Sequence, residues 1–81
     1  MIRDTIYSIV AKKLGVSTSE LNEYSSARDF QAWDSLFHLS LITEIEQYLS
    51  IRIPLDILFT IASLGELVRA CEASYNDEST I

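Results

Sequence analysis

The chain has 81 residues, 48% of them hydrophobic, and a net charge of −6. That is room for one small domain with a single core, and the acidity disfavours nucleic acid and anionic membrane surfaces while suiting a basic patch on a partner protein. With 2 Gly and 1 Pro it suits neither a turn-rich β fold nor a Gly-rich phosphate loop.

Ile2, Ile6, Ile9, Val10 and Leu14 recur at steps of three and four, which predicts an amphipathic helix over 2–14. Lys12 and Lys13 complement the dipole near its end, and Gly15 stops it. A long connection follows, over 15–34. Ser17 with Glu20 three later is a capping-box signal for one short turn. Leu21, Tyr24, Phe30 and Trp33 are too apolar for a free loop and should pin it to the core. A connection this long in a small domain is uncommon, and such loops are often functional.

Residues 35–50 carry the strongest helical pattern. Leu41, Ile42, Ile45 and Leu49 gather on one side, flanked by His38 and Tyr48. Ser40, Thr43, Glu44 and Gln47 take the other side, and Leu36 and Leu39 fall on or beside that polar face. "SIRIP" before Pro54 is too short and irregular for a strand, and "LDILFT" over 55–60 suits one or two helical turns. Ser63 with Glu66 is a capping box opening a helix over about 64–74, with Ile61, Leu64, Leu67, Val68 and Cys71 as its stripe. Gly65 in its first turn is slightly unfavourable for a helix. A single domain over 1–74 and a flexible polar tail over 75–81 complete the reading. The predicted fold is all-α: a small four-helix bundle, three longer helices plus one short one, with a long first loop. No apolar run reaches the roughly 18–20 residues of a membrane span, and charges come too early for a signal sequence, so the expectation is a soluble, unprocessed chain in the cytoplasm.

Asp34, Ser35 and His38 supply one of each hydrolase triad type. No Gly-x-Ser-x-Gly elbow surrounds Ser35, and a lone His on an apolar face is usually a packed, hydrogen-bonded residue. One His and one Cys do not make a metal cluster, and Glu44 and Glu46 point about 200° apart on a helix. Cys71, the single cysteine, reads as a small core residue. A third reading is attachment: a hydroxyl at the first residue of a helix lies at the positive end of the dipole, where a phosphate ester is favoured. From Asp34 and Ser35 alone, a plain helix cap is the simpler reading.

The wider stretch "WDSLFHLSLITEIEQYLSIRIP" resembles the signature of the acyl carrier protein family and of the related peptidyl and D-alanyl carriers. The motif is Asp34-Ser35-Leu36, opening the second helix of a four-helix bundle, and the resemblance covers about residues 2–74. It implies that Ser35 receives 4′-phosphopantetheine from coenzyme A through a separate phosphopantetheinyl transferase, with Asp34 and Leu36 beside it. It implies a monomeric carrier of thioesters rather than an enzyme, whose partners are acyl-loading and acyl-processing enzymes of ketosynthase, acyltransferase or ligase type. The outward face of the second helix, Leu36, Phe37, Leu39, Ser40, Thr43, Glu44, Glu46 and Gln47, together with Asp56, is then the partner-binding face. The resemblance also suggests a core that opens for an acyl chain, lined by Ile42, Ile45, Leu49, Ile53, Phe59, Ile61, Leu64 and Val68.

The sequence departs from the family pattern close to the motif. Fatty-acid-type carriers place acids directly after Asp-Ser-Leu and three later, where this chain has Phe37 and Ser40. Other carriers have Gly-His, where this chain has Phe37-His38. Phe37 either packs under the long loop or extends an apolar partner patch. The expectation is a carrier for a specialised fatty-acid or polyketide-type pathway. The alternatives are a peptidyl or aminoacyl carrier, and an unmodified all-α interaction adaptor.

Overall fold

A computed structural model describes residues 2–79, with side chains described through Tyr75. Among the described residues there are four α-helices, α1 (Ile2–Leu14), α2 (Ser35–Leu49), α3 (Leu55–Leu58) and α4 (Leu64–Ser79), with a 3-10 turn at Thr18–Glu20. There is no strand among the described residues. The all-α bundle expected from the periodicity is the observed one.

The local signals act where the sequence puts them. Gly15 leaves α1 with φ +75°, a conformation that costs a residue with a Cβ far more than it costs glycine. Ser17 and Glu20 form a reciprocal capping box on the 3-10 turn. The predicted helix end near 74 does not hold, since α4 continues to Ser79. No Gly or Pro follows Gly65 to stop it, and a polar segment is not for that reason non-helical. The last part of the expected polar tail, residues 80 and 81, lies outside the described residues.

The core is built from Ile6 and Val10 on α1, Leu41, Ile42 and Ile45 on α2, and Leu64, Leu67 and Cys71 on α4, all fully buried. Leu21 and Trp33 reach it from the long first loop, as expected, and Phe30 packs partly against it. Tyr24 does not: it is 79% exposed. Phe59, expected in the core, is 68% exposed, and Leu58 beside it is buried instead. One turn of helix is too short for a periodicity that could tell those two apart.

The loop is stitched to the start of α4. The Leu64 N–H donates to Ser25 O at 2.8 Å and the Gly65 N–H to Glu23 O at 2.9 Å. These are first-turn N–H groups that have no partner within their own helix. Ser63 Oγ takes the Glu66 N–H and Glu66 Oε1 takes the Ala62 N–H, so the predicted Ser63/Glu66 pair caps the rest of the turn. Gly65, an apparent defect in the sequence, is what allows this approach: a Cβ there would stand 2.9 Å from Glu23 O and 3.0 Å from Glu23 Cβ.

Gly65→Ala therefore separates helix propensity from packing. Propensity favours Ala by about 1 kcal/mol, whereas crowding against a backbone atom costs about 1–3 kcal/mol. The expected result is net destabilisation in urea unfolding followed by circular dichroism, and a stabilised variant would contradict this account of the loop.

Candidate functional site

Asp34 has extended backbone angles, φ −97° and ψ −174°, and its Oδ1 accepts the Phe37 N–H at 2.8 Å. Its carbonyl accepts the His38 N–H at 2.9 Å. Asp34 is thus the N-cap of α2. Ser35, the first helical residue, is released from that duty. Its side chain is exposed, and among the described residues its hydroxyl makes no hydrogen bond. The choice between cap and free hydroxyl, open in the sequence, is divided by the structure between two adjacent residues.

The hydrolase arrangement is not assembled. Trp33 Nε1 donates to His38 Nδ1 at 3.3 Å, and His38 Nε2 faces the Leu58 carbonyl at 3.2 Å. Both ring nitrogens are engaged away from Ser35, so His38 is the packed, hydrogen-bonded residue that its position on the wheel suggests. No cluster of three or more His, Cys, Asp or Glu that could hold a metal occurs among the described residues.

A cavity of about 430 Å³ opens beside Ser35, with Trp33, His38, Phe59, Ile61 and Ala62 among its walls. The site fits a phosphate ester. The hydroxyl is free, the Asp34 cap takes the Phe37 N–H and leaves those of Ser35 and Leu36 at the head of a 15-residue helix, and apolar walls lie alongside.

The face expected to meet partners is only partly free. Leu36 is 77% exposed and Leu39 is 40% exposed, as the wheel requires. Thr43 is exposed, its hydroxyl bonded back to Leu39 O at 2.9 Å, and Gln47 and Asp56 are exposed. Lys13 on α1 bonds Ser40 Oγ at 3.2 Å and pairs with Glu44 Oε1 at 3.3 Å. Glu46 turns to the chain itself: its Oε2 accepts the Ile53 N–H at 2.8 Å and ties down the segment after α2. Phe37 is half-buried against Trp33, ring centroids 5.7 Å apart, with the Lys13 ammonium 5.8 Å from its ring centroid. It packs under the loop. The sequence reading missed Leu55 and Ile57, which join Phe59 as exposed apolar side chains on and after α3. The only signal was that "LDILFT" has more large apolar residues than one turn of helix can bury.

A protein family described as the phosphopantetheine attachment site matches residues 4–71. The acyl carrier protein of Chlorobium luteolum (strain DSM 273 / BCRC 81028 / 2530) is 36% identical over 53 residues, covering 65% of this chain and 68% of that protein. The chain belongs to the acyl carrier protein family. As a member it is a carrier with a phosphopantetheine attachment domain, and not a catalyst. The thiol of this carrier's chemistry is then the one brought by the arm, because Cys71 is fully buried on α4. Burial pushes its thiol up to about 12, with the Glu46 and Glu72 carboxylates adding to the effect.

Cys71 should accordingly resist iodoacetamide in the native carrier at about pH 8 and react once urea unfolds the chain. A thiol whose folded value lies above its ordinary 9.0 contributes stability that is complete below that pH and is lost as pH climbs toward about 12. Unfolding free energy measured over that range should fall less steeply in Cys71→Ala. Rapid labelling of the folded protein would contradict the burial.

Proposed function

We propose that Ser35 carries the 4′-phosphopantetheine arm and that the chain serves a specialised fatty-acid or polyketide-type pathway as a cytoplasmic monomer. The observation that carries the reading is the exposed, unbonded Ser35 hydroxyl at the head of α2, with the capping role already filled by Asp34. In the ester, Ser35 Oγ becomes one oxygen of a phosphodiester. Its negative charge sits against the Ser35 and Leu36 N–H groups and the positive end of the α2 dipole, worth about 0.3–1 kcal/mol at an exposed site. When bound, the arm supplies a terminal thiol on which acyl groups ride as thioesters. The chain's own residues hold the arm's root, keep it at an exposed corner, and present the helix beside it to other enzymes.

The specialised pathway is supported by the character of that helix. Phe37 and Ser40 stand where fatty-acid-type carriers have acids, Glu44 is paired with Lys13, and Glu46 is engaged by the Ile53 N–H. What remains outward is Leu36 and Leu39, with Leu55, Ile57 and Phe59 exposed on α3 and just after it. A phosphopantetheinyl transferase, and ketosynthase, acyltransferase or ligase partners after it, would meet an apolar contact with Asp56 and Gln47 as exposed polar groups.

Incubation with coenzyme A and a broad-specificity transferase should add one arm to the wild-type mass and none to Ser35→Ala, which should keep its helical circular dichroism. A wild-type mass that never moves would sink the Ser35 assignment. Leu36→Ala should lower kcat/KM for the transfer by about tenfold at unchanged stability, the loss of about 1.4 kcal/mol expected of one of the few central apolar residues that carry a contact. Glu46→Ala should show the reverse pattern, with stability lower by about 1 kcal/mol and the transfer rate within about twofold of wild type.

A further inference from the structure

Three elements meet at one imidazole. His38, on the first turns of α2, takes the indole N–H of Trp33 from the long loop on Nδ1 and bonds the Leu58 carbonyl of α3 through Nε2, at 3.3 Å and 3.2 Å. The rings of Trp33 and His38 also lie nearly parallel, 27° apart with centroids 6.5 Å apart. An indole N–H can only donate and a carbonyl oxygen can only accept. One state of the ring satisfies both partners: the neutral imidazole with its hydrogen on Nε2.

α3 has few other anchors. It is 4 residues long, its N-cap Pro54 makes no side-chain cap bond, and Leu58 is its one buried residue. The chain then continues through Phe59 and Ile61, which, with Trp33 and His38, wall the cavity beside Ser35.

We propose that His38 is a proton-sensitive latch on the cavity beside Ser35, closed when the ring is neutral and released when it is protonated. The added proton goes to Nδ1 and places an N–H against the indole N–H. Two donors then face one another with no acceptor between them, and the Trp33 wall parts from the α2–α3 wall. None of the charged groups on the surrounding elements is hydrogen-bonded to a ring nitrogen of His38. Asp34, in the same cavity, has Oδ1 on the Phe37 N–H, and Asp29 in the loop has Oδ2 on the Ser26 N–H. Arg28 in the loop and Asp56 on α3 are exposed. Lys13 on α1 and Glu44 on α2 pair with each other, and Glu66 on α4 takes the Ala62 N–H. The latch belongs to the unmodified chain. Its consequence, that the root of the arm is presented in a different cavity at acid pH, rests on the Ser35 reading.

The chain has a single His and a single Trp, so both reporters are unambiguous. The test is NMR of the full, unmodified chain from about pH 8 to about pH 5. The His38 ring resonances, the Trp33 indole N–H and the backbone amides of Phe59, Ile61 and Ala62 should titrate with one shared midpoint. Relative to its intrinsic exchange rate at each pH, the indole N–H should be about tenfold less protected at the acid end. In His38→Gln those amides should no longer follow pH over that range. Trp33→Phe serves if that variant fails to fold: its His38 ring should still titrate while the amides stay still. A wild-type ring that titrates with the indole and the amides unmoved would overturn the latch, as would amide shifts that persist in either variant. Neither result touches the mass test of Ser35.

Discussion

The hydrogen bonds from the Leu64 and Gly65 N–H groups to the carbonyls of Ser25 and Glu23 are the constraint on which the rest of the structure depends. A loop spanning most of the distance between two helices has no ladder of its own, and its buried polar groups must find partners. The first turn of α4 has donors with none. Each supplies what the other lacks, at a place where only glycine lets the backbones approach. With the loop held there, Leu21 and Trp33 can enter the core, and Trp33 is followed directly by Asp34, the N-cap of α2. The position of Ser35 is therefore set by contacts to α4, far from it in sequence, as well as by its own helix.

At the head of α2 the work is divided among neighbours. Asp34 satisfies the helix, Ser35 is left free, Leu36 is left exposed, and Phe37 and His38 pack inward against Trp33. This division keeps a hydroxyl accessible without leaving the helix uncapped. It also accounts for the departure at Phe37. A ring there covers Trp33 and lies near the Lys13 ammonium, which in turn holds Ser40 and Glu44. The acidity of the chain is consequently muted along this face. Surface ion pairs of this kind add little stability, but pairing a carboxylate in place reduces the field that it projects to a partner. A carrier so arranged would select partners through apolar fit more than through charge.

The thiol chemistry of the family has no counterpart inside this chain. Cys71 is packed between helices with its thiol held protonated, and His38 has both nitrogens bonded. The fold supplies a root, a corner and a recognisable surface, and leaves reaction to what is attached and to what binds.

Much of this was legible in the sequence, and the legible part has one physical character. The spans of α1 and α2, the Asp34, Ser17 and Ser63 caps, the Gly15 stop and the exposed Leu36 and Leu39 all follow from interactions within about one helical turn, which a linear pattern records directly. The signature that opens the family resemblance lies in the same local stretch, residues 33–54, within a likeness that covers about 2–74. Tertiary structure alone decided the rest. Gly65 reads as a flaw until Glu23 is seen above it, and Glu46 reads as a surface acid until the Ile53 N–H is found on it. Tyr24 and Phe59 read as core because they are large and apolar, yet the core was filled by Leu21 and Leu58. The role of His38 needed both Trp33 and Leu58 in view. Such contacts join elements whose separation in the chain carries no periodic signal, so only the packed fold could assign them.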